Sequence, residues 1–208
     1  MAQQSAEDGS PIPELVHGDP DALGRLLDDY RPRLRRMVSL WLDPRISARV
    51  GASDVVQEVC LDAMKQVESY LEDPRVVFYV WLRGLAQQRL TKLHRGHVTS
   101  QCRSTRREEP LPSESSLVLA KRLLAGWTSP SGALSKKQLR LCVQQAMEKL
   151  DPSDREVILM RQFEELSNQE VAQALGLSES GATMRHGRAL LRLKEILLAD
   201  PELGGISR

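Results

Sequence analysis

A chain of 208 residues is enough for one large domain or two small ones, and 41 % hydrophobic residues supply a core for each half. Aromatics make up only 4 % while Leu, Ala, Arg, Glu and Gln recur, which favours helix over sheet. No apolar run nears the roughly 20 residues of a membrane span, the polar start is unlike a signal peptide, and Cys60, Cys102 and Cys142 are too scattered for a disulfide framework or a zinc ribbon. The expectation is a cytoplasmic protein with no membrane insertion.

In chain order, residues 1–15 read as a flexible leader with Gly, Ser and two prolines among them. Asp19-Pro20 opens a first helix, whose Leu23, Leu26, Leu27, Tyr30, Leu34, Met37, Val38 and Trp41 fall at helical spacing. Pro32 lies inside this pattern and is a candidate kink. After a break at Asp43-Pro44, the pattern predicts a helix over 53–67. Val55, Val56, Val59, Cys60, Ala63 and Met64 form its apolar face, and Asp54, Gln57, Glu58 and Asp62 lie opposite. A short loop, Glu72-Asp73-Pro74, leads to a third helix over 76–95, with Val77, Val80, Trp81, Leu85 and Gln88 on one stripe and Arg83, Arg89, Lys92 and Arg95 mostly off it. Residues 98–134 cluster Ser, Thr, Pro and Gly at both ends like a linker, with a short apolar piece at 117–124. A compact helical series follows over 135–200. Its first helix, 135–150, turns Leu139, Cys142, Val143, Ala146 and Met147 inward, and Asp151-Pro152-Ser153-Asp154 starts the next. Residues 201–208 form a tail.

The net charge of +1 is uninformative, but its distribution is not. From Arg75 to Arg107 there are eight Lys/Arg and no acid, whereas from Asp54 to Asp73 there are six acids and one Lys. From Thr183 to Leu198 the last long helix carries Arg185, Arg188, Arg192 and Lys194 against Glu195 alone. Two basic zones alternating with acidic ones suit contact with nucleic acid at two places and with protein elsewhere.

The most specific local signal is near the C-terminus. Ser167-Asn168-Gln169-Glu170 has the form of a capping box, with Leu166 and Val171 placed as a hydrophobic staple. The helix ends at Leu175, Gly176 suits a left-handed turn residue, and Ser178 caps a longer basic helix to Leu198. Helix, glycine turn and second basic helix are the layout of a helix-turn-helix, whose second helix enters the major groove. Helical hairpins with a solvated basic face are common; here capping box, staple, turn glycine and charge asymmetry coincide. The residues placed for the groove are Ser178, Thr183, Met184, Arg185, His186 and Arg188, with Arg192 further along toward phosphate.

The segment LSNQEVAQALGLSESGATMRHGRALLRLKEIL (166–197) resembles the promoter-reading region of extracytoplasmic-function (ECF) sigma factors of bacterial RNA polymerase, and LDPSDREVILMRQFEEL resembles the helix before it. DVVQEVCLDAMKQV (54–67) resembles the family's polymerase-binding helix, and FYVWLRGLAQQRLTKLHR (78–95) the helix that meets the melted downstream element. The two regions match in the family's order and spacing. The resemblance implies an all-α fold of two small helical domains, 16–97 and 135–200, joined by a flexible linker, the second containing the helix-turn-helix. It implies polymerase contact through Asp54, Gln57, Glu58, Leu61 and Asp62. Downstream DNA contact falls to Tyr70, Arg75, Tyr79, Arg83, Arg89, Lys92 and Arg95, with the loop 70–75 holding an extruded base. Tyr79, off the apolar stripe, is the stacking candidate; Trp81, on it, reads as core. The implied partners are core RNA polymerase, promoter DNA and an inhibitory regulator such as an anti-sigma factor, with no cofactor.

The chain departs from the family pattern at Gln88, where Asn is usual, at Lys92, where Asp is usual, and at Thr183, where a basic residue is usual. Gly187 sits mid-helix where a bulkier residue is usual. These departures bear on which promoter sequence is read. His94-x-x-His97 with Cys102 is set aside as a metal site, because the surrounding segment is basic and lacks a fourth ligand. No phosphate loop or nucleophile motif is present, so an enzyme is not expected. Two other readings stay open: a helix-turn-helix regulator working without polymerase, and a polymerase-binding decoy.

Overall fold

The computed structural model of the protein describes residues 21–47, 49–98, 111, 113–124 and 135–200. The expected leader and tail, and much of the expected linker, lie outside them. Every regular element among the described residues is helical. The chain divides into two compact units, Met1–Glu108 and Glu109–Arg208.

In the first unit, α1 (Ala22–Trp41), α3 (Ala52–Glu72) and α4 (Phe78–Val98) pack against one another, and the short α2 (Pro44–Ser47) touches α4. The core forms where their apolar stripes meet: Leu27, Leu34, Met37 and Val38 from α1, Val55, Val56, Val59 and Ala63 from α3, Leu82, Ala86 and Leu90 from α4. Burial of such side chains contributes about 1.5–3 kcal/mol each for the larger ones. Helix α1 runs unbroken through Pro32. That residue is on the exposed side, where solvent can serve the carbonyl that the missing N–H leaves unmet. The α3 N-terminus is held by Asp54, whose Oδ2 accepts the Gly51 N–H at 3.0 Å.

The second unit holds α5 (Ser113–Leu123), α6 (Lys136–Glu148), α7 (Pro152–Ile158), a π-helical turn (Leu159–Phe163), α8 (Asn168–Leu175) and α9 (Glu179–Leu198). Helix α5 lies inside the segment expected as a linker. It buries Ser116, Leu119, Ala120 and Leu123 and packs on α6 and the π turn. The Ser/Pro/Gly clusters thus flank a helix that belongs to the C-terminal core. Helix α9 is the hub, packing on α6, α7 and α8, with Ala182, Ala189, Leu193 and Leu197 fully buried. Ser135 and Gln138 close a capping box on α6, at 3.2 and 2.9 Å.

Periodicity alone does not reveal the π turn. The Glu164 N–H reaches back five residues to the Leu159 carbonyl (2.9 Å), and the Leu166 N–H returns to Met160 O (2.9 Å). Between them Glu165 adopts φ 61, a left-handed conformation rare outside glycine. The Arg161 guanidinium donates to the Leu166 carbonyl and ties down the exit of the turn.

Candidate nucleic-acid and protein interfaces

The helix-turn-helix is built as its sequence signals imply. Ser167 Oγ accepts the Glu170 N–H at 3.1 Å, and Glu170 Oε2 accepts the Ser167 N–H at 2.7 Å. The staple partners Leu166 and Val171 are both buried. Gly176 adopts φ 63, ψ 36, and its N–H returns to the Ala172 and Gln173 carbonyls. Ser178 Oγ then accepts the Gly181 N–H at 3.0 Å and starts α9. The sequence signals do not announce a second connection. Asn168 Nδ2 donates to the Glu179 carbonyl (2.9 Å), and the Thr183 hydroxyl lies 3.1 Å from Asn168 Oδ1 and 3.0 Å from Glu179 O. Asn168 sits inside the capping-box motif, where its own contribution is masked by its neighbours.

On α9, Thr183, Met184 and Arg188 are exposed and Arg185 is half-buried. Ser178 is spent on the cap. His186 turns away from the open face: its Nε2 lies 3.2 Å from Gln162 Nε2 on the π turn. The amide nitrogen can only donate, so the ring nitrogen accepts and the imidazole is neutral. Burial, with Arg161 and Arg122 nearby, pulls its pKa down to about 4. Arg192 is paired within the chain as well, although its side chain stays exposed. It pairs with Asp154 and, at 3.5 Å, with Asp151 on the N-terminal turn of α7, and these carboxylates hold its pKa above the usual guanidinium value. The direct groove contact expected of His186 thus gives way to an internal contact, while Arg192, expected at a phosphate, is exposed and engaged by two carboxylates of its own chain. Asp151 and Asp154, which from sequence answer only to the helix dipole, gain a long-range partner.

On α3, Asp54, Gln57 and Glu58 are exposed and Asp62 is half-buried. Leu61 is 45 % exposed, and Met64, expected in the core, is 52 % exposed. Met64 is one residue beyond Ala63, which takes the last inward position on that turn. Acids around two exposed apolar side chains make a face with a dehydratable centre and a polar edge, the anatomy of a protein interface. Glu58 also reaches α4, 3.2 Å from Arg89.

The residues expected at the melted downstream element divide sharply. Tyr79 is only 1 % exposed, stacked 5.7 Å from Tyr30 with the Arg33 guanidinium over its ring at 3.7 Å. Folded this way it offers no platform to a base, and that assignment is withdrawn. Arg83 is buried too, 5.7 Å from the Trp41 ring; the helical phase of α4 points both inward, whereas Gln88, expected on the apolar stripe, is exposed. Tyr70 is buried and structural: its hydroxyl donates to Val76 O at 2.9 Å and its ring stacks on Trp81 at 4.7 Å. Burial raises its pKa and keeps it a donor. It thereby fixes the loop 73–77, where exposed Arg75 pairs with Asp73 at 2.6 Å. Lys92 and Arg95 are exposed and Arg89 half-buried, leaving a basic edge on α4. His97 and Cys102, weighed as metal ligands, lie outside the described side chains. Among the described residues no helix is long and apolar enough to cross a membrane.

Comparison with known proteins agrees with this layout. The family model for sigma-70, region 4, matches residues 140–193, the stretch from α6 through most of α9. Over 203 residues the chain is 27 % identical to the ECF RNA polymerase sigma factor SigD of Mycobacterium tuberculosis, covering 96 % of this chain and 88 % of that one. It is 24 % identical to the ECF sigma factor SigW of Bacillus subtilis over 184 residues, 87 % of this chain and 92 % of the relative. Among solved structures, CnrH in complex with the cytosolic domain of CnrY shares the fold at TM-score 0.55 and 23 % identity, covering 90 % of this chain and 95 % of that one. The sigma factor RpoE bound to the anti-sigma factor NepR, from Bartonella quintana, does so at TM-score 0.53 and 17 % identity, covering 86 % and 99 %.

Proposed function

We infer that this chain is an ECF sigma factor, which binds core RNA polymerase and directs it to promoters, where it recognises the DNA and starts transcription. The observation that carries this reading is the helix-turn-helix with an open α9 face, in a chain similar along 96 % of its length to an ECF sigma factor. The upstream element is read in the major groove by Thr183, Met184, Arg185 and Arg188. The α3 face, centred on Leu61 and Met64 and ringed by Asp54, Gln57 and Glu58, docks on a basic surface of the polymerase. Lys92 and Arg95 on α4 meet the phosphates of the opened downstream element, Arg89 beside them is held by Glu58, and the loop 73–77, braced by Tyr70, borders them. The protein acts by positioning rather than by chemistry of its own, and it works in the cytoplasm alongside polymerase and chromosome. A regulator of the anti-sigma kind, such as the NepR bound to RpoE in one of the solved structures, is a fitting partner.

Run-off transcription on a library of promoter fragments, with core polymerase and with or without this chain, tests the reading. Transcripts from defined starts only in its presence are expected. A stable polymerase complex without transcripts would make it a decoy. Neither complex nor transcripts would return it to the regulators that work without polymerase.

A further inference from the structure

We propose that α9 reads thymine through its 5-methyl group, with Thr183 and Met184 as the contacts and Asn168 as the residue that positions Thr183; the proposal rests on the promoter-recognition reading above. The Thr183 hydroxyl is committed inward. Its single hydrogen is shared between two acceptors, Asn168 Oδ1 at 3.1 Å and the Glu179 carbonyl at 3.0 Å, so it has none to give a base. Asn168 is itself anchored, because its amide donates to the same Glu179 carbonyl at 2.9 Å. With χ1 pinned from both sides, the group that exposed Thr183 presents is its γ-methyl. Beside it Met184 is 61 % exposed. Two apolar groups thus stand at the end of α9 that reaches bases in this motif, and thymine alone among the bases offers a methyl in the major groove.

One turn further on, Gly187 supports a close approach. It is exposed, and a Cβ built on it meets nothing within 4 Å. Packing within the protein does not call for glycine there, and a mid-helix glycine costs about 1 kcal/mol relative to alanine. A bare stretch of backbone beside Met184 lets the helix sit deeper against its ligand, bringing short groups such as a threonine methyl within reach of base edges.

The test exchanges thymine for uracil, which removes the 5-methyl and leaves pairing and every groove donor and acceptor in place. Upstream elements selected from the promoter library are rebuilt with one thymine at a time replaced by uracil, and binding of the full chain with core polymerase is measured. At least one position should lose about fourfold in affinity, the worth of one buried methyl-sized group. Thr183→Ser, which keeps the hydroxyl and its bonds, should abolish the thymine–uracil difference at one position. Asn168→Ala should abolish it at that same position while circular dichroism shows the helices retained, which a merely structural role would not do. Equal binding of thymine and uracil at every position, or selected elements without thymine, would overturn the proposal. A Thr183 that accepts a hydrogen bond from an adenine or cytosine amino group would give that null result too, since the exchange leaves amino groups untouched. Failure of the sigma-factor reading is distinguishable: no selected fragment of any composition would then be bound or transcribed with polymerase, and the same exchange on duplexes selected by the chain alone would still decide the methyl contact.

Discussion

Ser167→Ala puts the helix-turn-helix to a quantitative test. Helix α8 has eight residues, too few to be stable in isolation, so it depends on its packing and its cap. Ser167 Oγ accepts the Glu170 N–H at 3.1 Å, and Glu170 Oε2 accepts the Ser167 N–H at 2.7 Å. Removing the hydroxyl leaves an orphan N–H at the positive end of the helix, a loss of about 1 kcal/mol. That corresponds to a roughly fivefold rise in the opening equilibrium. Amide hydrogen exchange read segment by segment is the assay, because opening is local to cooperative units. Amides of α8 and the first turns of α9 should exchange about fivefold faster, while those of α3 and α4 keep their rates. Glu170→Ala should act on the same amides, and the double variant should lose less than the sum, since both groups serve one turn. Unchanged exchange in α8 would refute the capping argument. An equal rise in α3 and α4 would refute the separateness of the two units.

Three other outcomes are expected. The neutral His186 takes up a proton in the unfolded chain, near pH 6.5, well before it does so in the folded one, near pH 4, so the C-terminal unit should lose stability as pH falls through that window; His186→Gln should flatten this part of a plot of urea midpoint against pH. Tyr70→Phe removes the 2.9 Å bond to the Val76 carbonyl and should lower stability by about 1 kcal/mol, with faster amide exchange at 75–77. Leu61→Glu should weaken polymerase binding at least tenfold, read by competition for core polymerase, with an unchanged urea midpoint because the side chain is already exposed; Asp54 is a poorer choice, since its carboxylate also caps α3.

The parts of the molecule that obey short-range rules are readable from sequence. The Ser167–Glu170 box, the Leu166–Val171 staple and the Gly176 turn each place their signal within a few residues of its effect, so the helix-turn-helix is legible in detail. The features that escape depend on helical phase or on partners far along the chain. Helix α4 buries Tyr79 and Arg83 because three other helical segments of its unit surround much of it, and the stripe through Val77, Val80, Trp81, Leu85 and Gln88 finds buried Val80 and Leu85 but is too narrow on one side and takes in exposed Gln88. Cation–π contacts from Arg33 to Tyr79 and from Arg83 to Trp41 make burial of these polar groups tolerable, and no hydrophobicity pattern announces them. The π turn adds a residue within one turn and exits through the left-handed Glu165, so the burial of Phe163 and Leu166 rests on a local geometry that a uniform helical pattern does not contain. Arg192 shows the same blindness to distance, because the acids that hold it lie 41 and 38 positions earlier.

The Arg192 contacts also bear on how binding responds to salt. A cation that neutralises a DNA phosphate releases a condensed counterion, and each such release steepens the fall of affinity with salt by about 0.9 in logarithmic slope. An arginine already facing two carboxylates of its own chain releases none. Titrated against upstream duplex, the protein should therefore show a slope about one unit shallower than the cations of α9 alone would give, and Asp154→Asn, by loosening that hold, should restore part of the difference.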